Sequence, residues 1–158
     1  MNASGSCGFL YSLAMAGYSG TPLPQKLGIK PDAALLVLNG PADFTKTLGK
    51  LPDGVTAATR TAAKGPFDVI IAFLETPADI APRLASLRPK MAPHCGLWFS
   101  WRKGQKGPGT LNENTIRDAA LAAGLVDNKV CAIDEQWSGL RCVIPVAKRD
   151  QGAAKGNR

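Results

Sequence analysis

The sequence predicts one α/β domain, built on a mostly parallel sheet of about six strands that ends in an antiparallel hairpin. Three observations predict it. Short apolar runs of strand length alternate with segments whose apolar residues recur at helical spacing. The two strongest runs, residues 33–39 and 67–74, are apolar almost throughout rather than alternating, as strands covered on both faces require. The last two runs, 126–133 and 140–146, are joined by too short a connection for a crossover, so they pair antiparallel.

The elements follow in order. Thr21 is placed to cap a short helical turn through Pro22, Leu23 and Pro24, and Gly28 ends it. Lys30-Pro31-Asp32 turns the chain into the first strand, 33–39, which Gly40-Pro41 breaks. Phe44, Leu48 and Leu51 predict a helix over 44–51, and Pro52-Asp53-Gly54 leads to a short strand, 55–59. Gly65-Pro66 precedes the strand 67–74. Ile80, Leu84, Leu87 and Met91 then share one helical face, with Asp79 as the expected N-cap so that Pro82 falls in the first turn. The segment 93–96 ends that helix and opens the strand 97–101. Residues 102–109 form a basic, glycine-rich loop. Asn112 caps the next helix, Leu111 and Ile116 can staple its start, and Gly124 ends it.

With 158 residues the chain can bury a real core in one domain. Hydrophobic residues make up 45% and charged ones 20%, which excludes the disordered class, and the low aromatic share of 6% predicts an aliphatic core. No apolar stretch approaches the roughly 18 residues of a membrane span, so no membrane partner is expected. The net charge of +7 is local: Arg102, Lys103 and Lys106 share a loop, and Lys148, Arg149, Lys155 and Arg158 share the tail. A basic tail is ordinarily a solvated end, so nucleic acid is a weakly supported partner beside an unidentified protein or small molecule. The four cysteines, Cys7, Cys95, Cys131 and Cys142, form no C-x-x-C pair, and His94 is the single histidine, which argues against a metal site and for a reducing cytoplasm.

Residues 16–149 form the expected domain. Residues 1–15 read as an extension: Ala14-Met15-Ala16 resembles a signal-peptidase site but no basic residue precedes it, and Met15 is the preferred start. Residues 150–158 have no apolar pattern and read as a disordered basic tail. Both ends are expected to be dispensable for folding.

Three segments carry a resemblance: Ala16-Gly17-Tyr18-Ser19-Gly20-Thr21-Pro22-Leu23, Lys26-Leu27-Gly28-Ile29-Lys30, and Ile133-Asp134-Glu135-Gln136-Trp137-Ser138-Gly139-Leu140. In these the chain resembles a family of small bacterial proteins called domain of unknown function 3052. That resemblance implies a Rossmann-like, methyltransferase-like plan. Leu87-Arg88-Pro89-Lys90 before the fourth strand and the closing hairpin also resemble methyltransferases. Such enzymes typically hold S-adenosylmethionine on a loop with several glycines after the first strand, where backbone must approach the ligand and turn sharply. Here that loop is Leu38-Asn39-Gly40-Pro41-Ala42-Asp43, with one glycine and a proline that removes a donor. The second strand ends in Thr59-Arg60 where an acid would hold ribose hydroxyls. These two departures predict a non-catalytic binding or regulatory domain with a degenerate loop and no cofactor. The alternative is a divergent S-adenosylmethionine-dependent methyltransferase.

Ligands of open α/β sheets bind beyond the carboxyl ends of the strands. Those ends carry Asn39 and Gly40, Glu75, then Trp101, Arg102 and Lys103, and finally Asp134, Glu135 and Trp137, the candidate ligand or partner edge. Arg102 could pair with Asp134 or Glu135, and Ser138-Gly139 is the expected turn. Trp98 faces away from Trp101 and is expected in the core. His94 lies at the opposite edge, beside Cys95 but pointing away from it, so no Ser-His-Asp triad is expected at the candidate edge. Cys131 and Cys142 are expected opposite one another across the hairpin and reduced. Alanine at Arg102 and Trp137 is expected to leave the melting temperature nearly unchanged.

Overall fold

The computed structural model describes residues 21–105, 107 and 109–148. Both predicted terminal segments, 1–15 and 150–158, lie outside the described residues. The strands are β1 (Ala34–Leu38), β2 (Thr56–Ala58), β3 (Phe67–Phe73), β4 (Met91–Arg102), β5 (Val126–Ala132) and β6 (Trp137–Val143). The helices are α1 (Leu23–Lys26), α2 (Phe44–Leu48), α3 (Ile80–Leu87) and α4 (Glu113–Ala122). The sheet order is β2-β1-β3-β4-β6-β5. β1 to β4 run parallel, and β6 is antiparallel to both its neighbours.

The period of two along each central strand sends alternate residues to opposite faces, and each face has its own core. Leu36, Ile70, Leu97, Phe99 and Trp101 pack with Ile80, Leu84 and Leu87 of α3 and Ile116 and Ala120 of α4. Leu35, Val69, Ile71, Phe73 and Trp98 pack with Leu27, Ile29, and Phe44 and Leu48 of α2. Trp98 is therefore core, as expected. Asn112 caps α4 by accepting from the Thr115 N–H at 2.9 Å, also as expected, and Leu111 and Ile116 share one cluster.

Several boundaries differ from the sequence-based reading. Pro22, not Thr21, holds the cap position of α1, without a side-chain cap. α2 stops at Leu48 because Gly49 turns left-handed at φ 78°, and Leu51 reaches the same core from the loop beyond. Asp79 does not cap α3 in the usual sense. Its carboxylate accepts from the N–H groups of Glu75 and Thr76, at 3.1 and 3.0 Å, and closes the turn ahead of the helix. Those two backbone hydrogen bonds hold its carboxyl below the ordinary value. α3 ends at Leu87, and Met91 opens β4 instead of completing the helix, because Pro89 cannot continue an α-helical ladder.

The hairpin differs most. Its loop lies over residues 133–136, not at Ser138-Gly139, which are part of β6. Asp134 sets the turn by accepting from the N–H groups of Gln136 and Trp137, at 2.7 and 2.9 Å, and such a local carboxylate bond fixes a turn as firmly as glycine does. Cys131 consequently pairs with Gly139, and Cys142 with Asp127 and Leu97, so the expected Cys131–Cys142 pair is not formed. Cys142 packs on the α3–α4 face and Cys131 against the other cluster.

Cys95, Cys131 and Cys142 are free thiols. Burial pushes Cys95 and Cys142 from the ordinary 9.0 up to about 12. With Cys7 replaced by serine, a thiol reagent at neutral pH is expected to label half-buried Cys131 first. Cys95 and Cys142 should follow only at the rate of unfolding, because the thiolate is the reactive form. Equal and immediate labelling of all three would refute this. The same shifts make stability fall as pH rises above 9.0, where the unfolded thiols ionise and the folded ones stay protonated. Among the described residues no helix is long and apolar enough to cross a membrane.

Candidate functional site

The chain leaves β1 toward β2 on one side, while β3 lies on the other. The connections above β1 and β3 therefore diverge, and the crevice region where they part is the place at which open α/β sheets take ligands. Asn39 and Gly40 form its β1 side. Asn39 adopts φ 58°, a left-handed conformation that asparagine tolerates, and turns the backbone sharply off the strand. A Cβ at Gly40 would stand 3.2 Å from Val37 Cγ1 and 3.6 Å from Phe44 Cβ, so a larger residue would press on α2. Glu75 forms the β3 side, on backbone that Asp79 pins.

Beyond β3, the edge is a chain of contacts. Arg102 Nε lies 3.5 Å from Glu75 Oε1, and the Arg102 guanidinium stacks over the Trp137 ring at 4.6 Å from its centroid. Arg102 and Trp137 are direct partners in the β4–β6 register. Trp137 stands edge-on to Phe73, and Phe73 edge-on to Phe44, each with centroids 4.9 Å apart. The backbone N–H of Lys103 donates to the Gln136 carbonyl at 2.8 Å, which ties the end of β4 to the hairpin loop. With side chains 55% and 59% exposed, the Arg102–Glu75 pair adds little stability in water. The cation over a ring positions the guanidinium more than it strengthens the fold.

The structure thus brings Glu75, Arg102 and Trp137 into contact, with Lys103 beside them and Asn39 and Gly40 across the crevice. Trp101 does not join them. It is 7% exposed and lies on the opposite face, in the α3–α4 core. Asp134 spends its carboxylate on the hairpin turn, Glu135 sits exposed at the tip, and the ion pair of Arg102 is made with Glu75. Trp137, at 3% exposure, is a core residue whose face carries Arg102. Sequence reasoning missed Asp79 as the anchor of the β3 end, although the Thr76-x-x-Asp79 spacing of a capping box was there to find. It also missed Asp68, which accepts from His94 Nε2 at 2.6 Å at the far edge of the sheet. Among the described residues no cluster of His, Cys, Asp and Glu could hold a metal ion.

No protein-family model matches the chain. No curated protein matches it by sequence. Solved structures do match its fold. An S-adenosylmethionine-dependent methyltransferase from Aquifex aeolicus aligns over 76% of this chain and 87% of its own, with TM-score 0.55 and 13% identity. The ribosomal protein L11 methylase from Lactobacillus delbrueckii subsp. bulgaricus aligns over 77% and 74%, with TM-score 0.56 and 14% identity. Magnesium protoporphyrin IX methyltransferase from Synechocystis PCC 6803, with bound SAH (S-adenosylhomocysteine), aligns over 77% and 78%, with TM-score 0.54 and 10% identity. The chain has the methyltransferase-like α/β fold, its mostly parallel sheet ending in an antiparallel hairpin. These neighbours overturn the expectation of a non-catalytic binding or regulatory domain. The architecture is that of methyltransferases, two of them solved with bound S-adenosylhomocysteine, and it favours the alternative reading. At such low identity the likeness itself establishes the fold.

Proposed function

We propose that the chain is a divergent methyltransferase that binds S-adenosylmethionine in the crevice above β1 and β3. The observation that supports this reading is the sheet order β2-β1-β3-β4-β6-β5, which parts the connections after β1 and β3, where Asn39-Gly40 and Glu75 follow their strands. The donor set suits the amino-acid half of the cofactor. The Glu75 carboxylate offers a partner for an ammonium, and the Asn39 amide and the turned backbone at Gly40 offer hydrogen bonds at the strand end. At the ribose half the fit is of a different kind: Thr59 and Arg60 follow β2, so the sugar hydroxyls would accept from these side chains rather than donate to an acid. When bound, the cofactor supplies a methyl group on a sulfonium. Arg102, held between Glu75 and Trp137, is placed to orient an acidic methyl acceptor. Asn39, Gly40, Glu75, Arg102 and Lys103 remain the site residues of this proposal. Trp101, Asp134, Glu135 and Trp137 do not contribute directly.

The same reading places the chain in the family called domain of unknown function 3052. It is supported by the segments around Lys26 and Asp134, while residues 16–20 of the first segment lie outside the described residues. A cytoplasmic location is supported by the free thiols of the described cysteines.

Calorimetric titration with S-adenosylhomocysteine tests the function. Binding to the native state is expected, with a stabilisation of about 2.7 kcal/mol at a hundredfold excess over Kd. Glu75→Ala should weaken binding by about tenfold, the worth of one charge-assisted hydrogen bond. Absence of both heat and thermal shift with S-adenosylmethionine and S-adenosylhomocysteine would defeat the proposal.

A further inference from the structure

Asparagine followed by glycine is the pairing most prone to rearrange on its own, and the chain holds it once, at Asn39-Gly40. In this reaction the backbone nitrogen of the following residue attacks the asparagine Cγ and closes a five-membered ring. The attack needs rotation about the asparagine Cα–C bond, an uncrowded nitrogen and access to water. A side chain on the following residue crowds the nitrogen, and glycine has none. A helix or a strand ladder prevents the rotation, because its hydrogen bonds hold the backbone.

The structure meets each need at this position. β1 pairs with β3 as far as Leu38, opposite Ala72, and the chain leaves the sheet at Asn39. Asn39 and Gly40 are both exposed. Among the described residues, neither the Asn39 side chain nor the Gly40 N–H has a hydrogen-bond partner. Asn39 sits at φ 58°, a sparsely populated region for a residue with a side chain, so turning away from it releases strain. The other described asparagines are placed differently. Asn112 accepts from the Thr115 N–H and Oγ1 at the start of α4, and Asn114 lies within α4 and accepts from Arg117 Nη1. Asn128 lies in β5 and is followed by Lys129.

We propose that Asn39-Gly40 is a self-modifying site, at which Asn39 converts to aspartate and isoaspartate without an enzyme. Hydroxide removes the Gly40 N–H proton, the nitrogen bonds to Asn39 Cγ, and the side-chain nitrogen leaves as ammonia. Water then opens the resulting succinimide at either carbonyl. One opening restores the main chain with a carboxylate at residue 39. The other routes the main chain through Cβ and Cγ, as isoaspartate. Water is consumed, ammonia is released, and no oxidant or reductant takes part. Residue 39 thereby changes from a neutral amide, which donates and accepts, to a carboxylate, which only accepts. It follows β1 on the same carboxyl edge as Glu75, so that edge gains an acidic group. For the cofactor reading, on which this consequence alone rests, the conversion is an off-switch set by the age of the molecule.

Peptide mapping of the full chain tests the site. Trypsin releases 27–46, in which Asn39 is the single asparagine. After incubation of the folded chain in mildly alkaline buffer, this peptide is expected as two new species, each heavier by the difference between an amide and an acid. The folded chain should convert within a few-fold of the rate of the same chain unfolded in urea. Gly40→Ala, whose Cβ would stand 3.2 Å from Val37 Cγ1, should convert several-fold more slowly, in urea as well as when folded. Retention of Asn39 in the folded chain while the unfolded chain converts would overturn the proposal, as would equal rates in the parent and Gly40→Ala. The converted chain should bind S-adenosylhomocysteine several-fold more weakly, through hydrogen bonding lost at the turn. Conversion with no change in that affinity would count against Asn39 as a cofactor ligand and leave the modification site standing.

Discussion

Replacing Trp98 with alanine is expected to cost about 3–5 kcal/mol of stability, the range for truncating a large aromatic in a packed core. For a chain of this length that lowers the melting temperature by roughly 10 °C or more. Trp98 has no solvent exposure. It lies mid-sheet on β4, between Ile71 of β3 and Arg141 of β6. Its Cε3 would stand 3.1 Å from a Cβ on Gly139, so the ring fills space that the glycine leaves open. Its Nε1–H donates to the Leu27 carbonyl at 3.0 Å, which ties the segment after α1 to the centre of the sheet. Trp98→Phe separates the two contributions. It keeps most of the apolar area and leaves the buried carbonyl without its donor, at a cost of about 1–3 kcal/mol. Chemical denaturation with an unchanged m-value measures both variants. A Trp98→Ala protein within about 1 kcal/mol of the parent would show that the ring is not the keystone of that face.

Trp137→Ala is expected to cost about 3–5 kcal/mol as well, while Arg102→Ala, its stacking partner, should stay within about 1 kcal/mol. For Trp137 this reverses the sequence-based expectation of a nearly neutral substitution, and for Arg102 it keeps that expectation. The two residues face each other in register and touch, yet their environments differ. Trp137 is 3% exposed and stands edge-on to Phe73 inside the α1–α2 core, whereas the Arg102 side chain is more than half exposed. Edge-to-face aromatic pairs add about 0.5–1.5 kcal/mol beyond the area they bury, so Trp137 anchors the hairpin to the sheet. Parallel melts of the two variants decide the matter. Equal losses in both would mean that the guanidinium is part of the core, and the assignment of Arg102 as an acceptor-orienting residue would fall.

Much of this architecture was legible from the chain, and the parts that were not share a cause. β1 and β3 announce themselves because strands covered on both faces are apolar without alternation. The carboxyl edge follows from direction alone, since parallel strands end on one side, and Glu75 and Arg102, both read onto that edge, are in contact. Register was not legible. A shift of one residue moves every side chain to the other face, and the loop set by Asp134 decided the parity of Trp137, Cys131 and Cys142 through side-chain hydrogen bonds that no dipeptide preference encodes. Trp101 was ambiguous for the same reason: its strand position allowed either face, and burial against α3 and α4 resolved it. The Asp68–His94 contact was hidden because its partners are 26 residues apart and meet only through an irregularity in β4.

The insertion of β6 between β4 and β5 has a consequence for how the protein is made. Synthesis delivers β5 before β6, but β5 forms its ladder only with β6, and the free side of β4 is likewise filled by β6. A nascent chain holding everything through Ala132 can pair four strands and must leave the fifth without a neighbour. The α3–α4 face meanwhile waits for Leu140 and Cys142 to cover it. The sheet is therefore completed from its interior by the last of the six described strands to be synthesised, through a long-range contact that is slow to close by nature. Until Trp137–Val143 has been synthesised, the edges of β4 and β5 are open templates of the kind that other chains can pair with.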